Sequence, residues 1–230
     1  MRSQHVVVLT GAGISVESGL ATFRGTGGLW EGLPVAQVAT PDGWRKDPAR
    51  VLHFYNLRRR EVLAALPNEA HQALKDLEDM FRVTIITQNI DDLHERAGSS
   101  TVIHLHGEIL KSRSSKNEKI VYRCTADIGL GDTCELGSQL RPHVVWFGEA
   151  VPKMDEARRV AKTADFFIVI GTSLEVYPAA SLIEDVPLDT PKFFIDPEPS
   201  GLADESFHVM QAKATEGVPI VVSQLRALMA

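Results

Sequence analysis

Five short apolar runs constrain the fold of this chain more than any other feature of its sequence. They lie at 5–10 (HVVVLT), 83–87 (VTIIT), 102–106 (VIHLH), 166–171 (FFIVIG) and 192–196 (KFFID). Their length and their content of β-branched and aromatic residues are typical of strands. Because most of them are apolar almost throughout, they favour a parallel sheet that helices cover on both faces.

Helical patterns fill much of the chain between these runs. Asn68 is a suitable N-cap for a helix over 69–80, a second helix is predicted over 154–164, and Pro219 precedes a third over 220–229. Strands that alternate with helices in this way predict an α/β fold, a doubly wound parallel sheet that is Rossmann-like.

Two segments do not follow this alternation. Residues 22–66 are rich in glycine and then helical, whereas residues 108–142 are polar and weakly patterned. We interpret both as a second, smaller module inserted into a single domain over 1–230. The larger part would then comprise three stretches, at about 1–21, 67–107 and 143–230.

The helix predicted over 47–66 has an unusual face. Asp47 and Pro48 form a good N-cap and first turn. Apolar residues near helical spacing share one face with a phenol and a guanidinium, at Val51, Phe54, Tyr55, Arg58 and Val62. The simplest interpretation is a solvated edge where the Arg58 stem covers apolar surface and its charge reaches water.

Bulk properties exclude several classes of protein. A formal net charge of −6 and a pI of about 5.8 argue against a dominant role in binding nucleic acid or anionic membranes. The apolar runs have strand length, the N-terminus lacks a signal-peptide pattern, and Cys124 and Cys134 do not form a disulfide framework. We therefore expect a soluble cytoplasmic protein.

Polar residues follow three of the predicted strands. The first strand runs into TGAGISVESG, where Gly11 and Gly13 permit a tight turn and the next helix could offer free N–H groups to a pyrophosphate. The spacing departs from G-x-G-x-x-G, so an ordinary structural turn is an alternative. Gln88, Asn89 and Asp91 follow the second strand, and the carboxyl ends of strands are where open α/β sheets bind ligands.

His106 ends the third strand, immediately before Gly107. An isolated histidine at such a place is more often structural than catalytic. Here, however, several polar strand ends converge on a glycine-rich loop, which favours a functional site.

Six motifs in order make the chain resemble a known family. GAGIS, FRG…GLW, TQNID, HLHG, VVWFGE and GTSLEVYP are similar to those of sirtuins, the NAD-dependent protein lysine deacylases, and the resemblance runs from Val6 to about Leu228. It implies that an acyl-lysine oxygen attacks the ribose of NAD, releasing nicotinamide and leaving free lysine and 2′-O-acyl-ADP-ribose. The catalytic residues implied are His106 as general base, with Asn89, Asp91 and Arg24.

The resemblance also implies a set of contacts with NAD. Asn89 and Asp91 would line the nicotinamide pocket, and Phe23 and Arg24 would belong to a loop that closes over the ribose. The whole set is Gly11, Ala12, Gly13, Phe23, Arg24, Trp30, Gln88, Asn89, Ile90, Asp91, His106, Gly171, Thr172, Ser173, Asp196, Pro197, Glu198 and Ala214. The alternative for GTSL is an ordinary turn after a strand.

Acylated lysine side chains of proteins are the implied partners. The peptide would enter between 145–149 and 173–177 as an added β-strand, contacting Val145, Phe147, Gly148, Glu149, Leu174, Glu175 and Val176. The segment FYNLRRR resembles the branch that removes acidic acyl groups, in which a tyrosine and an arginine three residues apart lie at the end of the acyl pocket. Tyr55 and Arg58 match that pair.

Two features depart from the family. Sirtuins usually hold a structural zinc ion with four cysteines, but this chain has only Cys124 and Cys134, and no histidine lies between 107 and 142. Because tetrahedral structural zinc needs about four nitrogen or sulfur ligands, we predict no metal. Asp196 stands where the family commonly has asparagine; its carboxylate can still accept from ribose hydroxyls.

Other functions share parts of this site. An NAD glycohydrolase or ADP-ribosyltransferase also releases nicotinamide, but it needs no acyl-lysine channel. A non-catalytic module that binds NAD or ADP-ribose would not need His106, Asn89 and Asp91 together. A plain dehydrogenase would require a separate substrate domain.

Overall fold

The computed structural model describes residues 3–22, 29–30, 32–199 and 205–228. Its strands are β1 (His5–Thr10), β2 (Leu29–Trp30), β3 (Leu33–Pro34), β4 (Arg82–Thr87), β5 (Val102–His104), β6 (Gly107–Ser114), β7 (Val121–Arg123), β8 (Leu140–Val144), β9 (Phe166–Ile170), β10 (Lys192–Ile195) and β11 (Phe207–Met210). Its α-helices are α1 (Val35–Val38), α2 (Pro41–Lys46), α3 (Pro48–Ala64), α4 (Glu69–Leu77), α5 (Leu93–Ala97), α6 (Met154–Ala161) and α7 (Ala214–Ala227). Two 3₁₀ helices span Ala12–Ser18 and Ala179–Asp185.

The main sheet is parallel and has the strand order β11-β10-β9-β1-β4-β5. The α/β prediction is thereby confirmed. Alternate residues of β1 face opposite layers, as the period of two requires. Val6 and Val8 pack with α4 and α7, whereas Val7 and Leu9 pack with α6 and the segment Ala179–Asp185.

Two elements near the C-terminus differ from the prediction. Strand β11 was not predicted, because an edge strand with two exposed positions lacks the continuous apolar run of its neighbours. Helix α7 begins at Ala214, so Pro219 lies inside the helix rather than before it. The proline removes one backbone hydrogen bond, which the burial of apolar residues on this helix offsets: Val218, Val221, Val222 and Leu225.

The smaller sheet is antiparallel and has the order β7-β6-β8. Helix α3, capped by Asp47 through a 3.0 Å bond from the Arg50 N–H, packs against it. Apolar residues of α3 join Ile109, Val144 and Trp146 in a shared cluster. These elements occupy the two segments that interrupt the strand–helix alternation. No helix in the described ranges is long and apolar enough to cross a bilayer.

Both cysteines are free thiols, and no group of three or more metal-ligating side chains is found within 3–22, 29–30, 32–199 and 205–228. Helix α3 contacts the loop that follows Cys124 instead. The Asn56 side-chain amide donates to the Ile128 carbonyl, and its oxygen accepts from the Ile128 N–H, both at 3.0 Å. Arg60 forms an ion pair with Asp127.

We expect the purified protein to contain no stoichiometric zinc and to unfold at the same temperature with and without a strong chelator. The reason is that two thiols are too few for a tetrahedral zinc site, while the Asn56 bonds hold the loop without one. Elemental analysis and thermal melts measure this. One zinc per chain, or a large fall in the melting temperature on chelation, would contradict the prediction.

Candidate active site

A cleft of about 260 Å³ opens where the main sheet meets α3 and the smaller sheet. Loops after β1, β4 and β9 form one side of it, and α3 and residues 144–149 form the other. Strand β1 pairs with β4 on one edge and with β9 on the other. The strand order therefore reverses direction at β1. Open α/β sheets bind ligands at the carboxyl ends of the strands beside such a reversal.

The glycine-rich loop after β1 packs tightly against the loop after β9. The Gly11 N–H donates to the Ile170 carbonyl at 2.9 Å, and the Gly13 N–H donates to the Gly171 carbonyl at 2.8 Å. A Cβ atom would lie 2.6 Å from the Gly171 oxygen if placed on Gly11, and 2.5 Å from the Gly171 Cα if placed on Gly13. Side chains at these positions would force the two loops apart.

This packing bears on the expectation that the helix after the glycine-rich loop offers free N–H groups to a pyrophosphate. The N–H groups of Gly11 and Gly13 are not free for a pyrophosphate, because they already donate to carbonyls. The Ile14 N–H also donates, to the Gly11 carbonyl at 3.2 Å, since Ala12–Ser18 is a 3₁₀ helix with its i→i+3 bonds. The loop after β1 thus packs closely against the loop after β9, and it does not offer a row of free N–H donors to a ligand.

A buried polar cluster lies beneath this loop. Ser15 Oγ donates to Asp91 Oδ2 at 3.1 Å and accepts from Asn89 Nδ2 at 3.2 Å. The Leu93 N–H donates to Asp91 Oδ1 at 3.1 Å. Burial raises the pKa of the Asp91 carboxyl, against these hydrogen bonds, which lower it. The cluster fixes one amide and one carboxyl group at the base of the cleft.

His106 occupies the end of this cleft near β5, and its tautomer follows from its hydrogen bond. Its Nδ1 lies 3.0 Å from the Gln88 carbonyl oxygen. Because a carbonyl only accepts, Nδ1 carries the proton and Nε2 keeps its lone pair. Burial lowers the pKa of His106, so the ring is neutral at pH 7. The Gln88 side chain in turn donates to Thr172 Oγ1 at 3.1 Å, across the strand ends.

The unusual face of α3 lines the far wall of the cleft. Tyr55 is only 1% exposed and accepts a 3.1 Å hydrogen bond from Trp146 Nε1. The Arg58 side chain is 13% exposed, and its guanidinium lies 5.3 Å from the Phe54 ring centroid. Both side chains line the cleft. The solvated-edge interpretation is therefore wrong for this face.

Arg58 pairs with Glu61, which also lines the cleft. The Arg58 Nε donates to Glu61 Oε2 at 2.7 Å, and Nη2 donates to Oε1 at 2.5 Å. Glu61 was not predicted as a site residue from the sequence. Glu61 lies one turn after Arg58 on the same helix face, and this spacing could have predicted that the two side chains pair.

The wall at 144–149 is held by a largely buried ion-pair network around Glu149. Glu149 accepts from Arg141 at 2.7 and 3.1 Å, from Arg113 at 3.2 Å and from the Trp146 N–H at 2.8 Å. The Arg141 guanidinium lies 3.2 Å from the centroid of the Trp146 ring. This network fixes the indole that in turn bonds Tyr55.

Most residues predicted for the site line this one cleft. They are Gly11, Ala12, Gly13, Trp30, Tyr55, Arg58, Gln88, Asn89, Ile90, Asp91, His106, Val145, Phe147, Gly148, Glu149, Gly171, Thr172, Ser173 and Val176. Ser15, Glu61 and Trp146 also line it and were not predicted individually, although Ser15 and Trp146 lie within the quoted motifs GAGIS and VVWFGE.

Other predicted residues lie elsewhere. Leu174 is buried in the core beneath the sheet, so it could contact a peptide only through its backbone, and Glu175 is exposed outside the cleft lining. Four residues predicted to contact NAD follow β10 or begin α7 without lining the cleft: Asp196, Pro197, Glu198 and Ala214. Phe23 and Arg24 lie outside the described residues.

Comparisons with known proteins agree on one family. A model of the Sir2 family matches residues 11–178. An NAD-dependent protein deacylase of Helicobacter pylori is 55% identical over 195 residues, covering 85% of each chain. One of Bacteroides thetaiotaomicron is 50% identical over 222 residues, covering 94% of this chain and 95% of its own.

Solved structures are similar over nearly the whole chain. A mutant Sir2 homologue in complex with ADP-ribose superposes with a TM-score of 0.90 at 40% identity, covering 99% of this chain and 94% of that one. A Sir2 protein bound to acetylated peptide has a TM-score of 0.79 at 30% identity, covering 98% and 94%.

Proposed function

This chain belongs to the Sir2 family and is an NAD-dependent protein lysine deacylase, and on that premise we propose that it removes succinyl and malonyl groups as well as acetyl groups. The observation that carries the proposal is the position of Tyr55 and Arg58, which line the same cleft as His106, Asn89 and Asp91. With water as a co-reactant, the products would be the free lysine, nicotinamide and 2′-O-acyl-ADP-ribose.

The chemistry of the α3 wall suits a carboxylate. Arginine presents paired N–H donors that match a carboxylate edge to edge. Burial raises the pKa of the Tyr55 phenol, so the hydroxyl keeps its proton at neutral pH and can donate it while accepting from Trp146. An acetyl group carries no charge to use either donor, and it gains little from them.

The residues at the strand ends suit NAD. When bound, NAD supplies an electrophilic ribose carbon with nicotinamide as its leaving group. The cluster of Ser15, Asn89 and Asp91 offers fixed amide, hydroxyl and carboxyl groups to a carboxamide. The loops at 11–13 and 171–173 line the same cleft beside it and would accept the rest of the dinucleotide.

His106 would act as the general base. Its Nδ1 proton is committed to the Gln88 carbonyl, which orients the ring and leaves the Nε2 lone pair to take a proton from a ribose hydroxyl. Because burial lowers its pKa, the ring stays in the neutral, proton-accepting form at pH 7.

The acyl-lysine peptide would lie between 145–149 and 173–177. Within the first segment the N–H groups of Val145, Trp146, Phe147 and Glu149 already donate inside the protein. An added strand would therefore draw mainly on carbonyl acceptors there. Recognition through backbone groups predicts weak selectivity for peptide sequence.

The test is incubation with NAD and one peptide sequence carrying acetyl, succinyl or malonyl lysine, with a reaction lacking peptide as the control. Mass spectrometry follows the deacylated peptide and the acyl-ADP-ribose. We expect a higher kcat/KM for the two acidic acyl groups than for acetyl. Turnover of the acetyl peptide alone would contradict the acidic-acyl proposal, and nicotinamide release without peptide would indicate an NAD glycohydrolase.

A further inference from the structure

We propose that Glu61 is a resident carboxylate that occupies the Arg58 guanidinium when no acidic acyl group is bound, and so weakens binding of succinyl and malonyl lysine. The inference rests on the proposed function of Arg58 and adds a residue that sets its strength. Glu61 would thus be a specificity-determining residue rather than a catalytic one.

The geometry of the pair is that of a carboxylate ligand. Glu61 contacts Arg58 through both of its oxygens, at Nε (2.7 Å) and Nη2 (2.5 Å). These two nitrogens form one edge of the guanidinium, and it is one of the edges that can bind a carboxylate bidentately. A succinyl or malonyl carboxylate using this edge would have to take the place of Glu61.

The two partners differ in how firmly they are held. The Arg58 side chain is 13% exposed, whereas that of Glu61 is 45% exposed. The guanidinium also lies over the Phe54 ring. Glu61 can therefore rotate into water while Arg58 stays in the cleft wall, and a half-exposed ion pair is weak enough to be exchanged.

Displacement affects only acidic acyl groups. To bind at this edge, a succinyl or malonyl lysine must break the Arg58–Glu61 pair, and its carboxylate then lies near the Glu61 charge in the same cleft. An acetyl lysine does neither. Removing the Glu61 charge should therefore strengthen binding of acidic acyl groups relative to acetyl.

The opposite role for Glu61 is also physically reasonable. If the pair orients Arg58 toward the substrate, then removing the carboxylate would weaken binding of acidic acyl groups. The sign of the change in KM separates the two roles.

The experiment compares KM values of wild type and Glu61→Gln for acetyl, succinyl and malonyl peptides of one sequence. We expect the KM ratio of succinyl to acetyl peptide to fall about two- to five-fold, the range of half-exposed ion pairs, with malonyl behaving alike. Glu156→Gln is the matched control, because Glu156 pairs with Lys153 at i, i+3 and 2.7 Å with similar exposure, on α6. It should leave the ratio unchanged.

A double-mutant cycle ties the effect to Arg58. On an Arg58→Met background, Glu61→Gln should no longer change the KM ratio. A ratio that rises or stays constant in the single variant overturns the proposal, as does an effect that persists without Arg58. If Arg58→Met alone raises the succinyl KM, the proposed acidic-acyl function survives that outcome; if it does not, both fail.

Discussion

His106→Ala should lower the rate of deacylation about 10²- to 10⁴-fold, the usual contribution of a general base. The variant removes the only imidazole that lines the cleft among the described residues. The His106 Nε2 atom carries the imidazole lone pair that can accept a proton, because Nδ1 donates its proton to the Gln88 carbonyl. The loss should appear with acetyl and succinyl peptides equally, since the base acts on the ribose and not on the acyl group. Single-turnover rates with saturating NAD measure it.

The control for this variant is His53→Ala, an exposed histidine on α3. It should turn over normally. NAD binding by His106→Ala should change little, because the Ser15–Asn89–Asp91 cluster and the packed loops at Gly11 and Gly171 remain. Near-normal turnover would remove His106 from the mechanism.

The main sheet could be predicted from the sequence because its central strands are buried on both faces. That burial produces runs such as 166–171, which have the length, the continuous apolar character and the β-branched and aromatic content of buried strands. Within the part of the chain that the structure describes, strand β11 pairs with β10 alone and exposes His208 and Val209, so its pattern is weak. The start of α7 was missed for a different reason: tertiary burial outweighs the proline, which local rules interpret as a boundary.

The site was predicted as a set of residues but not as a set of contacts. Motifs indicated that Gly11, Gly13 and Gly171 belong to one site, yet the structure adds that the Gly11 N–H donates to Ile170 and the Gly13 N–H to Gly171. A sequence does not report which N–H groups are already paired, because the partner lies 158 or more positions away. The same holds for Tyr55 and Trp146, which are 91 residues apart.

The hydrogen bond between Tyr55 and Trp146 affects how a Tyr55 variant can be interpreted. The Tyr55 hydroxyl accepts from a buried indole that the Arg141–Glu149 pair holds in place. A Tyr55→Phe change would leave Trp146 Nε1 without its acceptor, and an unpaired buried donor is costly. Loss of activity in that variant would mix acyl recognition with damage to the cleft wall. Arg58 is the cleaner probe, because Glu61, which pairs with it, is a half-exposed carboxylate that water can solvate when the guanidinium is removed.

Arg58→Met should cut removal of succinyl and malonyl groups about ten- to hundred-fold, mainly through KM, while removal of acetyl groups stays within a few-fold. The magnitude follows from a charge-assisted hydrogen bond, which contributes about 1.5–3 kcal/mol. Methionine keeps much of the apolar stem that packs near Phe54, so the wall of the cleft is preserved. KM and kcat for the three peptides, measured at saturating NAD, are the readout.

Arg60→Met is the matched control for that variant. Arg60 lies two positions along the same helix, is exposed, and pairs with Asp127 of the small module instead of lining the cleft. The same loss of charge there should leave the preference among acyl groups intact, because the Arg60 charge is screened by solvent and distant from the acyl carboxylate. If Arg58→Met lowers all three activities in parallel, Arg58 is a structural residue of the cleft wall, and the acidic-acyl preference must be abandoned.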